Sequence, residues 1–397
     1  MTTPTTTTTG FSMRLDEDYP EIREGVRRIC ADYPGAYWRK LDDEEAYPSE
    51  FVQAMTEAGY LAALIPEEYD GAGLPLRAAG VILEEVHASG GNASATHAQM
   101  YTMGTVLRHG SPAQKRQYLP EIAAGRLRLQ AFGVTEPTSG TDTTRLKTRA
   151  VRDGDHYVVN GQKIWTSRAL YSDLMLLLAR TTPLDQVTRK TDGLSVFLVD
   201  MRTAVGNGMT IRPIKAMINH NTTEVFFDDL RIPAASLIGE EGRGFRYILD
   251  GMNAERILVS HESIGDAKWF VRTAVKYACE RVVFDRPIGK NQGIQFPIAR
   301  SYAQLQAADL MLRKAAAMFA AGLACGEEAN LSKLLSAEAA WEAGEACMQT
   351  HGGFAYAREY YIERKWREAR VQRTAPVSTN LILAYIAEHV LGLPRSY

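Results

Sequence analysis

The spacing of apolar and polar positions divides the chain into three stretches. In the first, apolar residues recur at helical spacing over 50–58, closed by Gly59, and over 76–87 after the glycine loop at 70–73. Ser111-Pro112-Ala113-Gln114 combines a capping serine, a proline at the first helical position and a capping-box glutamine. A helix therefore starts there, and it stops near Gly125. From about Leu127 the period shortens. Residues 156–159 and 162–165, joined by Asn160-Gly161, read as a hairpin on a type I′ turn. The runs 174–179 and 194–199 are apolar and of strand length. Residues 224–227 form a further strand closed by Asp228-Asp229-Leu230-Arg231-Ile232-Pro233, and the polar stretch 181–192 is an exposed loop. After the glycines at 239–244 helix returns, over 303–324, 331–349 and 376–392, with Pro376 at the first turn of the last. Long Ala-rich helices with wide apolar faces imply bundle packing and leave surface for subunit contacts. The order predicts an α+β protein. A disordered tail over 1–12 precedes an N-terminal helical domain over 13–126, a small central β domain over 127–240 and a C-terminal four-helix-bundle domain over 241–397.

Composition narrows the function classes. Lys+Arg 45 against Asp+Glu 47 gives a net charge of −2 with no concentrated basic block, which argues against a nucleic-acid partner. Cys30, Cys279, Cys325 and Cys347 are far apart and form no C-x-x-C, against a disulfide framework or zinc site and in keeping with a reducing compartment. No metal site is expected. No apolar run reaches the roughly 18 residues of a membrane span. The threonine-rich start lacks the basic and apolar regions of a secretory signal, so a cytoplasmic location is expected.

The stretch 247–259 reads Tyr-Ile-Leu-Asp-Gly-Met-Asn-Ala-Glu-Arg-Ile-Leu-Val. Helical spacing puts Glu255 on a face with Gly251, Met252, Leu258 and Val259. A carboxylate in an apolar stripe loses hydration, which raises its pKa and suits a base working near neutral pH. The local pattern alone favours a plainer reading, an ordinary helix glutamate reaching out to solvent. The eight histidines are scattered, and a lone one such as His220 or His351 reads as a surface or satisfied core residue. The basic run 358–373 mixes signs at helical spacing, as a solvated or subunit-facing helix does. There is no G-x-S-x-G, P-loop, Rossmann glycine motif or H-E-x-x-H.

More telling is Phe132-Gly133-Val134-Thr135-Glu136-Pro137-Thr138-Ser139-Gly140-Thr141-Asp142, which places glycines and small hydroxyl residues beside a strand, where backbone N–H groups can face a polar ring system. With Lys163-Ile164-Trp165-Thr166-Ser167 and Gln349-Thr350-His351-Gly352-Gly353-Phe354-Ala355-Tyr356, this stretch resembles the acyl-CoA dehydrogenase family of flavoproteins. The resemblance runs from about Asp16 to Tyr397 and takes in Pro66-Glu67-Glu68-Tyr69-Asp70-Gly71 and Arg281-Val282-Val283-Phe284. It implies the same α, β, α order, non-covalently bound FAD, and a homotetramer built as a dimer of dimers. By resemblance, Phe132, Val134, Thr135, Gly140 and Thr141 line the flavin together with Trp165, Thr166 and Ser167. Arg281, Phe284, Gln292, Gln349, Gly352 and Gly353 match positions that hold the FAD of a neighbouring subunit, and Ser378 and Asn380 join the cofactor set. Arginine and glycine-rich backbone suit a pyrophosphate because both bring donors close.

The implied reaction is α,β-dehydrogenation of an acyl-CoA thioester, with a base taking the α-proton, the β-hydrogen passing as hydride to flavin N5, and electrons leaving to an electron-transferring flavoprotein. An acyl-CoA oxidase or lyase on the same fold, or a non-catalytic acyl-CoA- or FAD-binding subunit, is the alternative. Many members carry the base in a Tyr-Glu-Gly-Thr motif near the C-terminus. Here the matching stretch is Thr374-Ala375-Pro376-Val377-Ser378, with proline at the glutamate position. Isovaleryl- and long-chain acyl-CoA dehydrogenases carry it on a helix just before an arginine, and Asn253-Ala254-Glu255-Arg256 matches that placement. Glu255 is then the base, with Asn253, Arg256 and Thr141 meeting substrate. A helix-borne base leans the substrate toward a branched, cyclic or longer acyl group. Pro376 has no N–H, so Val377 or the flavin ribityl hydroxyl must polarise the thioester carbonyl. Thr138 and Arg145 stand where small residues are usual, and Asp285 where glycine is common.

Overall fold

The computed structural model describes residues 18–396, so the tail expected over 1–12 lies outside the described residues. The N-terminal helices are α1 (Pro20–Ala31), α2 (Gly35–Glu44), α3 (Ser49–Glu57), α4 (Leu76–Ala88), α5 (Ser94–His109) and α6 (Pro112–Ala123). The capping box forms as its residues dictate: Gln114 N–H donates to Ser111 Oγ at 3.1 Å and Ser111 N–H to Gln114 Oε1 at 2.9 Å.

The sheet contains β1 (Leu129–Gly133), β2 (Arg149–Asp153), β3 (His156–Ser167), β4 (Leu174–Arg180), β5 (Leu194–Asp200), β6 (Met209–Pro213), β7 (Thr222–Pro233) and β8 (Leu237–Ile238), with a short helix α7 (Met201–Ala204) after β5. Its order is β6-β7-β3-β2-β4-β5-β8, and β1 pairs parallel with β4. Strand β4 is buried along its whole length, which is why its apolar run does not alternate. Its Leu174, Leu176 and Leu178 pack with Met103, Leu119 and Ile122 of the N-terminal helices, while Met175, Leu177 and Ala179 pack inside the β domain with Tyr157 and Phe197.

The hairpin expected at Asn160-Gly161 is not there. Strand β3 runs straight through it, with Gly161 at φ 148° in a bulge opposite β7. A Cβ on Gly161 would come within 2.5 Å of Thr148 Oγ1, so the glycine serves close strand approach instead of a turn. The reversal lies at Gly154-Asp155, where Asp153 pairs with His156. Strand β7 likewise continues through Asp228-Asp229, with Asp229 in a left-handed conformation, instead of stopping at 227.

The C-terminal helices are α8 (Gly244–Glu280), α9 (Gln292–Ala320), α10 (Gly326–His351), α11 (Ile362–Val371) and α12 (Thr379–Tyr385), the last followed by a π turn. Helices α8, α9 and α10 pack on one another, α4 packs on α8, and one buried cluster joins all of them. Helix α9 starts eleven residues before the expected 303. Pro376 is not in the first turn of the last helix. It follows a cis Ala375–Pro376 bond in the preceding turn, and Ser378 is the cap, accepting from Leu381 N–H at 3.4 Å. The run 358–373 is not a solvated helix either. Arg364, Lys365 and Glu368 on α11 are buried and paired inward, Arg364 to Glu368 at 2.6 Å and Lys365 to Asp266 of α8.

Candidate active site

Helix α8 begins where Gly244 lies against β5, so close that a Cβ would meet the Ser195 carbonyl carbon at 2.5 Å. This contact fixes the first turns of α8 over the sheet. Three turns on, Glu255 is 4% exposed and does not snorkel to solvent. The face it occupies is not an apolar stripe. His97 of α5 approaches with Nε2 at 3.0 Å from Glu255 Oε2, and its Nδ1 lies 3.1 Å from Glu262 Oε1, off the N–H direction. Burial alone would discharge the His97 ring, but the two carboxylates outweigh it and hold its pKa up to about 10. Burial likewise works against the Glu262 charge, and His97 and His87 overcome it, leaving its carboxyl below the usual range.

From His97 the site extends to the sheet through aromatic contacts. The Tyr101 ring is 5.3 Å from the His97 ring and 5.6 Å from Phe132 on β1, both edge-on. Burial pushes the Tyr101 phenol up, so it stays protonated. Met252, one turn before Glu255, borders the same apolar cluster as Phe132 and Val134. The strand end expected to hold flavin therefore faces the helix that carries Glu255.

Both halves of that strand end are locked together. Ile164 N–H donates to the Thr135 carbonyl at 2.9 Å, and Lys163 Nζ donates to the Val134 carbonyl at 3.0 Å and to Glu136 Oε1 at 2.8 Å. Burial pulls Lys163 down to about 8 against the pull of Glu136, whose other bonds come from the N–H groups of Lys147 and Thr148. Beside this lock the Trp165 indole is 58% exposed on a left-handed backbone with φ 60°, a conformation a bulky residue adopts only when its surroundings impose it. Ser167 is half-buried, and Gly140 and Thr141 are open to solvent. An uncovered indole next to hydroxyl residues and free backbone fits a flat, polar-edged ring such as isoalloxazine. Thr166 differs from its neighbours. It is buried, its carbonyl accepts from Thr223 Oγ1 at 2.7 Å, and its own hydroxyl has no partner among the described residues.

The second cofactor group gathers elsewhere. Arg281 caps the far end of α8, and its guanidinium lies over the Phe354 ring at 5.5 Å, next to the turn carrying Gly352 and Gly353. Phe284 is 93% exposed with φ 51°, and Asp285 follows at φ 60°, which accounts for glycine being usual there. Gln292 and Gln349 are exposed, and a Cβ on either glycine would meet nothing within 4 Å. Along the unbroken helix Arg281 is about 39 Å from Glu255, 26 residues at roughly 1.5 Å each. Within one chain the two groups are separate sites.

Near Glu255, Arg256 Nη1 donates to Asn253 Oδ1 at 3.1 Å, while its buried Nε has no partner among the described residues. Lys333, pulled down to about 8 by burial and then by Arg256 and Arg373, donates to the carbonyls of Gln372 and Val377, the latter at 2.7 Å. That fixes the turn around Pro376. Of the cofactor set there, Ser378 spends its hydroxyl on the α12 cap and Asn380 is exposed. His220 is partly buried and His351 is buried. Burial takes His220 down to about 4, and His351 Nδ1 lies 2.9 Å from the Cys347 carbonyl. Sequence reasoning missed His97 and Tyr101. Their one signal is the spacing of four on α5, which aims both at the same neighbour.

The chain matches the acyl-CoA dehydrogenase N-terminal domain over residues 16–126, the middle domain over 131–230 and the C-terminal domain over 242–391. It is similar to acyl-CoA dehydrogenase FadE12 of Mycobacterium tuberculosis, 31% identical over 98% of this chain and 100% of that one. Similar too is the mitochondrial short-chain specific acyl-CoA dehydrogenase of Rattus norvegicus, 32% identical over 96% and 92%. A glutaryl-coenzyme A dehydrogenase bound to glutaryl-CoA superposes with a TM-score of 0.89 at 28% identity, over 97% of this chain and 98% of that one. The chain thus belongs to the acyl-CoA dehydrogenase family, oxidoreductases whose members are FAD flavoproteins.

Proposed function

We propose that this protein dehydrogenates an acyl-CoA thioester to the 2-enoyl-CoA, with Glu255 taking the α-proton. The observation that carries the reading is the position of Glu255, buried on α8 and joined through His97 and Tyr101 to the Phe132 strand end. A carboxylate shielded from water there meets a substrate carbon without competing hydration. Arg256 and Asn253 sit on the same helix and would receive the CoA side of the thioester, with Thr141 as a further substrate contact. The Val377 N–H donates to no backbone carbonyl among the described residues, while its carbonyl is held by Lys333. It is the donor that would polarise the thioester carbonyl in place of the one Pro376 lacks. Phe132, Val134, Thr135, Gly140, Thr141, Trp165, Thr166 and Ser167 would hold the flavin ring. Arg281, Phe284, Gln292, Gln349, Gly352 and Gly353, with Ser378 and Asn380, would serve the cofactor of a neighbouring chain in a homotetramer. FAD, when bound, supplies the acceptor for the hydride that leaves the β-carbon, and an electron-transferring flavoprotein in the cytoplasm receives the electrons.

The test is Glu255→Gln. That variant is expected to purify yellow and to resist bleaching by saturated acyl-CoA under anaerobic conditions, while the wild type bleaches and reoxidises slowly in air. Full turnover by Glu255→Gln ends the proposal, and fast reoxidation of the wild type favours an oxidase. Screening branched, cyclic and long acyl-CoAs against an artificial acceptor identifies the acyl group.

A further inference from the structure

We propose that His97 is a positioning residue for the base, carried as an imidazolium that is held between Glu255 and Glu262 and keeps Glu255 oriented beside a positive charge. The inference rests on Glu255 being the base. Its ground is geometric. Glu255 and Glu262 are two turns apart on one face of α8, and the imidazole of α5 enters between them with a carboxylate oxygen 3.0 Å from one nitrogen and 3.1 Å from the other. One nitrogen is hydrogen-bonded to Glu255 and the other lies beside Glu262 Oε1, off the N–H direction, so a carboxylate on each side favours the cationic ring.

Neighbouring histidines are built differently. His87 accepts from Ala93 N–H on Nε2 at 3.1 Å, so within hydrogen-bond distance only its Nδ1 meets a carboxylate, that of Asp266 at 2.9 Å. His261 meets Glu84 with Nδ1 at 2.9 Å and leaves Nε2 without a partner. The other groups around the trio are Tyr101 on α5, Arg168 beyond β3, His87 on α4, His220 before β7, Arg256 and Asp266 on α8, and Lys333 on α10, of which Arg256 and Lys333 face Glu255. Tyr101 is neutral, and the Arg168 Nη2 is buried with no hydrogen-bond partner among the described residues.

The second carboxylate has a definite task. At rest Glu255, His97 and Glu262 together carry one negative charge. When the α-proton moves from substrate carbon to Glu255, that carboxyl becomes neutral and the trio sums to zero, with His97 still paired to Glu262. Without Glu262, the same step would strand a buried cation.

The experiment is the pH dependence of kcat/KM in His97→Gln and Glu262→Gln holoenzymes. Removing the cation makes Glu255 harder to ionise, so the acid limb of His97→Gln moves up by at least about one unit. That is a loss of about tenfold at pH values below the limb, regained at high pH. Removing the anion moves the limb of Glu262→Gln the opposite way. An unmoved acid limb in His97→Gln, with activity lowered equally at every pH, overturns the proposal and leaves His97 a packing residue. Should either variant fail to fold, 15N NMR of histidine-labelled wild type decides. One histidine with both ring nitrogens protonated at pH 8.5 is expected, and only neutral rings there overturn the assignment. Turnover retained by Glu255→Gln removes the base itself, an outcome distinct from an unmoved limb with Glu255→Gln inactive.

Discussion

At the scale of single residues, the site turns on the Glu255 carboxylate and the His97 ring 3.0 Å from it. Glu255 stood out because a glutamate followed by arginine matched a known placement of the base. The surroundings that the local pattern gave it were wrong. An apolar stripe around residues 251–259 says nothing of a histidine 158 positions away. Only the packing of α5 on α8 converts that stripe into an ion-paired cluster. The same pairing has a consequence for stability. His97 has a folded pKa of about 10 against its usual 6.5, so the folded state binds the extra proton. Its stabilising contribution is fully present below pH 6.5 and is lost as pH rises through about 10. Other groups act the opposite way in the pH 6.5 to 8 window: His109, His220, His261 and His351, lowered by burial, at its acid end, and Lys163 and Lys333, pulled down to about 8, at its basic end. Urea unfolding across that window should therefore show the stability of the wild type relative to His97→Gln falling with pH, by up to about 1.4 kcal/mol per unit, and parallel profiles for the two proteins would remove the effect.

At the scale of elements, what the chain spelled out in contiguous residues came through. The capping box at Ser111, the glycine stop after α3 and the apolar run of β4 each depend on near neighbours, and each formed. Asn160-Gly161 failed for a long-range reason, because Thr148 on the adjoining segment needs the space a Cβ would take. The charges of α11 were misplaced for the same kind of reason, since Asp266 of α8 and the Gly90 and Gly91 carbonyls after α4 receive Lys365 and Arg364 in the core. Lys163 shows how much such pairs matter. It ties β3 to the loop after β1 through Val134 and Glu136, with its side chain wholly buried. Lys163→Met would leave the Glu136 carboxylate buried against only two backbone donors. We expect a loss of about 3–5 kcal/mol, measured as a lower urea midpoint, together with loss of bound flavin as the Thr135–Ile164 contact loosens. A midpoint unchanged within 1 kcal/mol, roughly the size of a surface substitution's effect, would show that the pair adds nothing net.

At the scale of the whole molecule, α8 is the organising feature. It is one helix of 37 residues, packed on α4, α9 and α10, with Glu255 near its start and Arg281 just beyond its end. The exposed Phe284, Phe354 and Tyr356 gather around that far end, as a surface awaiting cover would. If each flavin is served by the front of one α8 and the back of another, damage to the two ends belongs to different sites. Chains carrying Glu255→Gln and chains carrying Arg281→Ala, each defective alone, should then rescue one another when co-expressed and purified as a mixed oligomer on two tags. In such a pair one site collects both lesions while the other collects neither, so about half of the wild-type turnover returns. No gain over either parent would mean that Arg281 does not serve a neighbouring chain's flavin. On that arrangement a single rigid rod would make the gene capable of intragenic complementation, in which two faulty alleles together encode a working enzyme.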